Sequence, residues 1–251
     1  MKKEEIVINT LVFVKSNQTG VSQEEMIKKI ASVGFKRVEV RREFIKNIEE
    51  ETAAIGRLSK EKNIEMFYSV PEKMYEKKKL RKKEVASYFY EAFVMNCHFI
   101  KFIVGEYEVI TQEDIAFIKG LKDKYEIELT VENDQTKENG QVNKMLDFLK
   151  IWKEKGGEIN TTFDVGNWLW IKENPFKNAM KLFEFVSYIH IKDVREGNPP
   201  STRLLNEGDL PLKRILEVLP KNVPVALEYP MGEKPLEVLE NESEKFLEYY
   251  K

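Results

Sequence analysis

Glu132, Asp164, His190 and Glu228 each close a short run in which apolar and polar residues alternate. In Ile127-Glu-Leu-Thr-Val-Glu132 the apolar Ile127, Leu129 and Val131 fall on one face of a strand, and Glu128, Thr130 and Glu132 on the other, because side chains alternate along extended backbone. The same parity groups Asn160, Thr162 and Asp164, then Tyr188 and His190, then Ala226 and Glu228. Three carboxylates and one imidazole that converge from neighbouring strand ends suit a single divalent ion with a preference for oxygen: Mn2+, Mg2+ or Co2+, with Zn2+ also accepted. Only such a cation offsets so many crowded carboxylates. Taken one at a time, each carboxylate could equally cap the next helix or pair with a loop lysine. Shared parity at one depth on adjacent strands is what four independent caps would not produce.

The elements that must position these residues recur along the chain. Strand-like apolar runs fall near residues 6–11, 37–41, 63–68, 99–104, 126–131, 159–163, 187–191 and 223–228. Between them lie segments with helical spacing, such as Met26, Ile27, Ile30 and Val33, or Ile115, Phe117, Ile118 and Leu121. Pro175 and Pro235 stand where helices begin and Gly34 just past the end of one. Eight units of about 31 residues match the minimal strand–helix repeat and predict an α/β fold, a (β/α)8 TIM barrel, as one domain over residues 1–251. Active sites of such barrels lie at the C-terminal strand ends, where the four residues fall. An open doubly wound sheet is the rival, but the chain has no Gly-rich phosphate-binding turn.

Composition narrows the function classes. Of 251 residues, 42% are apolar and 33% charged, with 41 Lys+Arg against 43 Asp+Glu and a net charge of −2. That balance speaks against a nucleic-acid coat and against a disordered chain. The single cysteine, Cys97, cannot form an internal disulfide and reads as a small buried hydrophobe. No apolar run approaches the roughly 20 residues of a membrane span, and the acidic start Met1-Lys-Lys-Glu-Glu does not resemble a signal peptide. The expectation is a cytoplasmic protein with no nucleic-acid or membrane partner, for which a homo-oligomer is open.

Other residues are weighed against their structural readings. His98 precedes the fourth strand and reads as a structural histidine on the stability face. Trp168 and Trp170 follow Asp164 and either cover a sugar's apolar face or pack the loop onto the barrel. The basic run Lys73 to Lys83 is expected to be a solvated helix face near the mouth, with attraction of an acidic sugar as the second reading. Asn198-Pro-Pro-Ser before Glu207-Gly-Asp209 reads as a long irregular loop. Glu39 and Arg41 end the second strand with inward parity, as pocket lining or as an ion pair.

The segments Gly34-Phe-Lys-Arg-Val-Glu39, Val131-Glu-Asn133, Thr162-Phe-Asp-Val-Gly-Asn167, Tyr188-Ile-His-Ile-Lys-Asp193, Asn206-Glu-Gly-Asp-Leu210 and Leu227-Glu-Tyr229 resemble the xylose isomerase-like sugar phosphate isomerase/epimerase family, in the family's order. The resemblance implies one divalent metal ion at Glu132, Asp164, His190 and Glu228, with Glu132 and Glu228 also the catalytic acid/base pair. Arg195 stands where ketose epimerases of the family place a substrate-binding arginine, and Asn167, Trp168, Lys192 and Glu39 are the further expected substrate contacts. The chain departs from the family pattern at Tyr68-Ser-Val-Pro71, where many members carry a histidine, and at Asn167, where epimerases often have one.

The chemistry so implied is isomerisation or epimerisation of a ketose or related sugar, phosphorylated or not. A ketose carbonyl and its neighbouring hydroxyl can chelate the ion, which stabilises the enediolate left when the α-proton departs. Return of the proton to the opposite face gives an epimer, and to the adjacent carbon an aldose–ketose isomer. Two other classes stand beside this one. An apurinic-endonuclease-like phosphodiesterase would need more than the chain's two histidines for its zinc cluster. A non-catalytic sugar-binding barrel needs only the fold and the site.

Overall fold

Strands form where the apolar runs were expected, because β-branched and aromatic residues there can be buried on both faces. A computed structural model describes residues 1–250. Its barrel strands are β1 (Ile6–Asn9), β2 (Arg37–Arg41), β3 (Glu65–Leu80), β4 (Cys97–Tyr107), β5 (Glu128–Glu132), β6 (Asn160–Asp164), β7 (Val186–Ile191) and β10 (Val225–Leu227). They close in the order β1-β10-β7-β6-β5-β4-β3-β2, every pair parallel. This is the (β/α)8 barrel.

Helices start and stop on the expected residues. Pro175 and Pro235 open Pro175–Leu182 and Pro235–Glu248, and Gly34 takes a left-handed φ of 92° after helix Gln23–Ser32. Met26, Ile27 and Ile30 are buried against the outer side of the strands. Inside the barrel, Val7, Phe67, Tyr188 and Ala226 form a second, smaller core with Phe99 packed on it. The ring centroids of Phe67 lie 5.0 Å from Phe99 and 5.2 Å from Tyr188. Each of these residues lies two positions before a polar inward residue: Asn9, Ser69, Lys101 or His190 on the same strand, or Glu228 one residue past β10. An apolar plug therefore fills the lower barrel and a polar layer sits above it.

Three expectations are corrected. The basic run Lys73 to Lys83 is not a helix face. Lys73 to Lys79 lie on the extended end of β3, which pairs with β4 beyond the barrel, and the helix begins only at Lys82. Positive φ at Lys77 and Lys78, with the Arg81 N–H donated to the Met74 carbonyl, turns this extension back as a hairpin. Met74 and Tyr75 bury themselves, which leaves the lysines at the tip in water. Gly105 makes the close approach feasible: its φ is 83°, and a Cβ there would lie 2.0 Å from the Tyr75 carbonyl oxygen. Second, the stretch after β7 is not irregular throughout, since β8 (Asp193–Arg195) and β9 (Ser201–Arg203) form an antiparallel hairpin. Third, His98 is exposed rather than a packed structural residue. Cys97 beside it is buried, and burial pushes its thiol well up.

Candidate metal centre at the barrel mouth

Strand register brings the four residues to one level. Glu132 pairs across from Thr162, Asp164 from His190, and His190 from Ala226. Glu228 lies one residue past β10, where its N–H is donated to the Ile191 carbonyl. One ligand atom from each of Glu132, Asp164, His190 and Glu228 lies within 4.8 Å of all the others. Asp164 and His190 are wholly buried, Glu228 is 4% and Glu132 7% exposed.

Each carboxylate is anchored through one oxygen and turns the other toward the centre of the cluster, where Lys192 or His190 meets it. Asp164 Oδ1 accepts from the N–H groups of Gly166 (2.8 Å) and Asn167 (2.9 Å). Asn133 clamps the Asp164 backbone at both ends, accepting its N–H and donating to its carbonyl, each at 2.9 Å. Lys101 Nζ holds Glu132 Oε2 at 2.6 Å. Arg41 Nη1 holds Glu228 Oε1 at 2.7 Å. The other oxygens face inward: Glu132 Oε1 lies 2.9 Å and Glu228 Oε2 3.2 Å from His190 Nδ1. On its far side His190 Nε2 lies 3.0 Å from Glu39 Oε2, and Glu39 also accepts from Asn9. Lys192 Nζ reaches Asp164 Oδ2 at 2.7 Å and Glu228 Oε2 at 3.3 Å.

The charges shape one another. Burial alone would lower the His190 imidazole, but Glu39 and Glu228 outweigh it and raise its pKa well above the ordinary value. Burial would likewise raise the glutamates. Lys192, His190 and Lys101 instead hold Glu228 well below the usual carboxylate range, and Lys101 lowers Glu132. Burial pushes Asp164 up to about 6 against the pull of Lys192, so it remains largely ionised at neutral pH. Burial would lower Lys101 and Lys192 too, yet their carboxylate partners raise both.

These residues fit a divalent cation. Glu132 Oε1, Asp164 Oδ2 and both His190 nitrogens are buried without an aligned hydrogen bond, although charged groups stand close to them. Three carboxylates crowded in one buried site repel one another, and a divalent cation is a partner that their oxygens and the imidazole nitrogen, on losing its proton, can share.

The remaining expected contacts divide. Glu39 and Lys192 join the cluster. Asn167 lies behind it, donating Nδ2 to the Asn133 carbonyl at 2.8 Å and accepting from Gln135. Trp168 is fully buried against Phe163, 5.4 Å between ring centroids, because the turn after Asp164 directs it to the outer shell of the barrel. Arg195 is on the β8–β9 hairpin, where its guanidinium donates to the Glu207 carbonyl at 2.6 Å. Trp170 lines a separate surface groove with Phe176, Pro211 and Arg214. Tyr68 points outward to Glu91, while the adjacent Ser69 points inward with a buried, unpartnered hydroxyl. Sequence reasoning missed Lys101 and Asn9. A charged residue at an inward position of the apolar run Phe99 to Val104 was the signal for Lys101; Asn9 carried the weaker one of ending β1 with inward parity.

The chain has a closed parallel (β/α)8 barrel fold with this cluster at the C-terminal ends of its strands. No protein-family model and no curated protein sequence matches the chain. Among solved structures it is similar to a xylose isomerase domain containing protein from Salmonella typhimurium LT2, at 16% identity and a TM-score of 0.67 over 99% of this chain and 96% of that one. It is also similar to a probable 3-DHS dehydratase, AsbF, from Bacillus anthracis, at 14% identity and a TM-score of 0.70 over 96% and 98% of the two chains. A D-allulose 3-epimerase from Methylomonas sp., solved in complex with D-allulose, matches at 13% identity and a TM-score of 0.65 over 100% and 97%.

Proposed function

We propose that the chain is a divalent-metal-dependent isomerase or epimerase of a ketose or related sugar. One observation carries this reading: Glu132 and Glu228 each have one oxygen fixed by a cation and the other turned to a common buried centre shared with Asp164 and His190. The dehydratase and the epimerase that share the fold show that it hosts sugar and related chemistry.

In this reading Glu132, Asp164, His190 and Glu228 hold the ion, which acts when bound as a Lewis acid on the substrate's carbonyl and neighbouring hydroxyl. Glu132 and Glu228 are the proton-transfer groups. Lys101 keeps Glu132 ionised, and Lys192, His190 and Lys101 keep Glu228 ionised, so each starts as a base. The glutamate on one face of the substrate takes the α-proton. The other returns a proton to the opposite face, having first received one from a substrate hydroxyl or from water, and the first glutamate then gives its proton to the oxygen that supplied it, so both glutamates end ionised. Lys192 borders the same space and is the expected substrate contact nearest the ligand oxygens, while Glu39 lies behind His190.

The test is metal analysis of the purified protein together with proton exchange on a panel of ketoses in deuterated water. The reading expects about one divalent ion per chain, loss of that ion in His190→Ala, and exchange of an α-proton in at least one ketose. Equal metal content in His190→Ala would refute the site. Bound metal with no exchange or interconversion of any sugar would leave a binding barrel instead.

A further inference from the structure

The ligand oxygens left free in this site can be counted. A carboxylate oxygen has two lone pairs, and both on Asp164 Oδ1 are taken by the Gly166 and Asn167 N–H groups. Glu228 Oε1 accepts from Arg41 at 2.7 Å and from Asn9 at 3.4 Å. A cation bound by these two residues must therefore use Asp164 Oδ2 and Glu228 Oε2. Those are the two oxygens on which the Lys192 ammonium rests, at 2.7 and 3.3 Å. Lys192 is itself only 6% exposed, so little water screens its charge. A divalent ion on the same two oxygens would sit in contact with a like charge inside the protein, where such repulsion is strong.

The geometry points to Lys192 as the resident counter-ion of the metal-free site, an ammonium that competes with the divalent ion for Asp164 Oδ2 and Glu228 Oε2 and must leave them for the ion to bind. This rests on the metal reading above and adds to it a cost of entry set by the chain's own lysine. The apparent metal affinity is then the intrinsic affinity reduced by the fraction of molecules in which Lys192 holds the seat. Lys101 offers a built-in contrast: it is equally buried and cationic, but it grips Glu132 Oε2, while the unpartnered Oε1 faces the centre.

The experiment is titration of the metal-free full chain with Mn2+ and Zn2+, read by calorimetry and by the melting temperature with and without metal. Lys192→Met should bind the ion about tenfold or more tightly than the wild type, since the competitor is gone. Its metal-free form should melt lower, because two buried carboxylates lose their counter-ion, and its rise in melting temperature on adding metal should exceed that of the wild type. Lys192→Gln, which keeps a hydrogen-bond donor without the charge, should gain in the same direction and serves where the Met variant is insoluble. Lys101→Met should gain clearly less than Lys192→Met. An equal gain in the two would show a diffuse charge effect and overturn the shared seat. So would a wild-type-like or weaker affinity in both Lys192 variants while the wild type binds metal. If the wild type binds no divalent ion, the metal reading falls, and this inference with it.

Discussion

Lys101 Nζ lies 2.6 Å from Glu132 Oε2 inside the barrel, and both side chains are at least 90% buried. A lysine in the middle of an apolar strand is thus the fixed partner of the glutamate to which the proposed chemistry assigns proton transfer. The pair makes a sharp energetic statement, because breaking a buried ion pair from one side strands the other charge.

Lys101→Met should therefore cost about 3–5 kcal/mol in urea unfolding of the metal-free protein. Pairing it with Glu132→Gln, which removes the stranded charge, should recover about 1 kcal/mol or more of that loss, as expected for directly coupled residues. A double variant whose loss equals the sum of the single losses would show that the two side chains do not support each other.

The two glutamates should be separable by Gln, which keeps shape and one ligand oxygen where Ala would remove both. Glu132→Gln and Glu228→Gln are each expected to retain metal yet lose about 100-fold to 10,000-fold in turnover. In deuterated water each variant should fail to exchange the α-proton of one epimer while still exchanging that of the other. Full activity in both, with metal bound, would reduce the glutamates to ligands.

Asn133 touches no ligand atom but pins the Asp164 backbone at two points. Asn133→Ala should weaken metal binding by about 10- to 100-fold, the range typical of residues that orient metal ligands, and leave the far-ultraviolet circular dichroism of the barrel unchanged. Titration with Mn2+ gives the answer, and an unchanged affinity would mean that Asp164 is held by its Gly166 and Asn167 contacts alone.

How much of this was legible beforehand follows from what each signal measures. Parity is a property of extended backbone, so Glu132, Asp164, His190 and Glu228 could be placed on one face from spacing alone, as could Glu39 and Arg41. Charge runs carry no such geometry: Lys73 to Lys79 are compatible with a helix surface or a hairpin tip, and the buried Met74 and Tyr75 decide for the hairpin only through tertiary contact. The hairpin strands Asp193–Arg195 and Ser201–Arg203 are three residues each, too short for a periodic pattern. Trp168 follows a turn, where strand alternation no longer says which way a ring points. Lys101 was overlooked because a lone lysine among Phe99, Ile100, Phe102 and Ile103 reads as an interruption of a strand, although its parity matches that of the site.

The aromatic plug of Phe67, Phe99 and Tyr188, with Val7 and Ala226, closes the barrel from below. With packed rings beneath it, the polar layer of Glu132, His190 and Glu228 has the C-terminal ends of the strands as its open side.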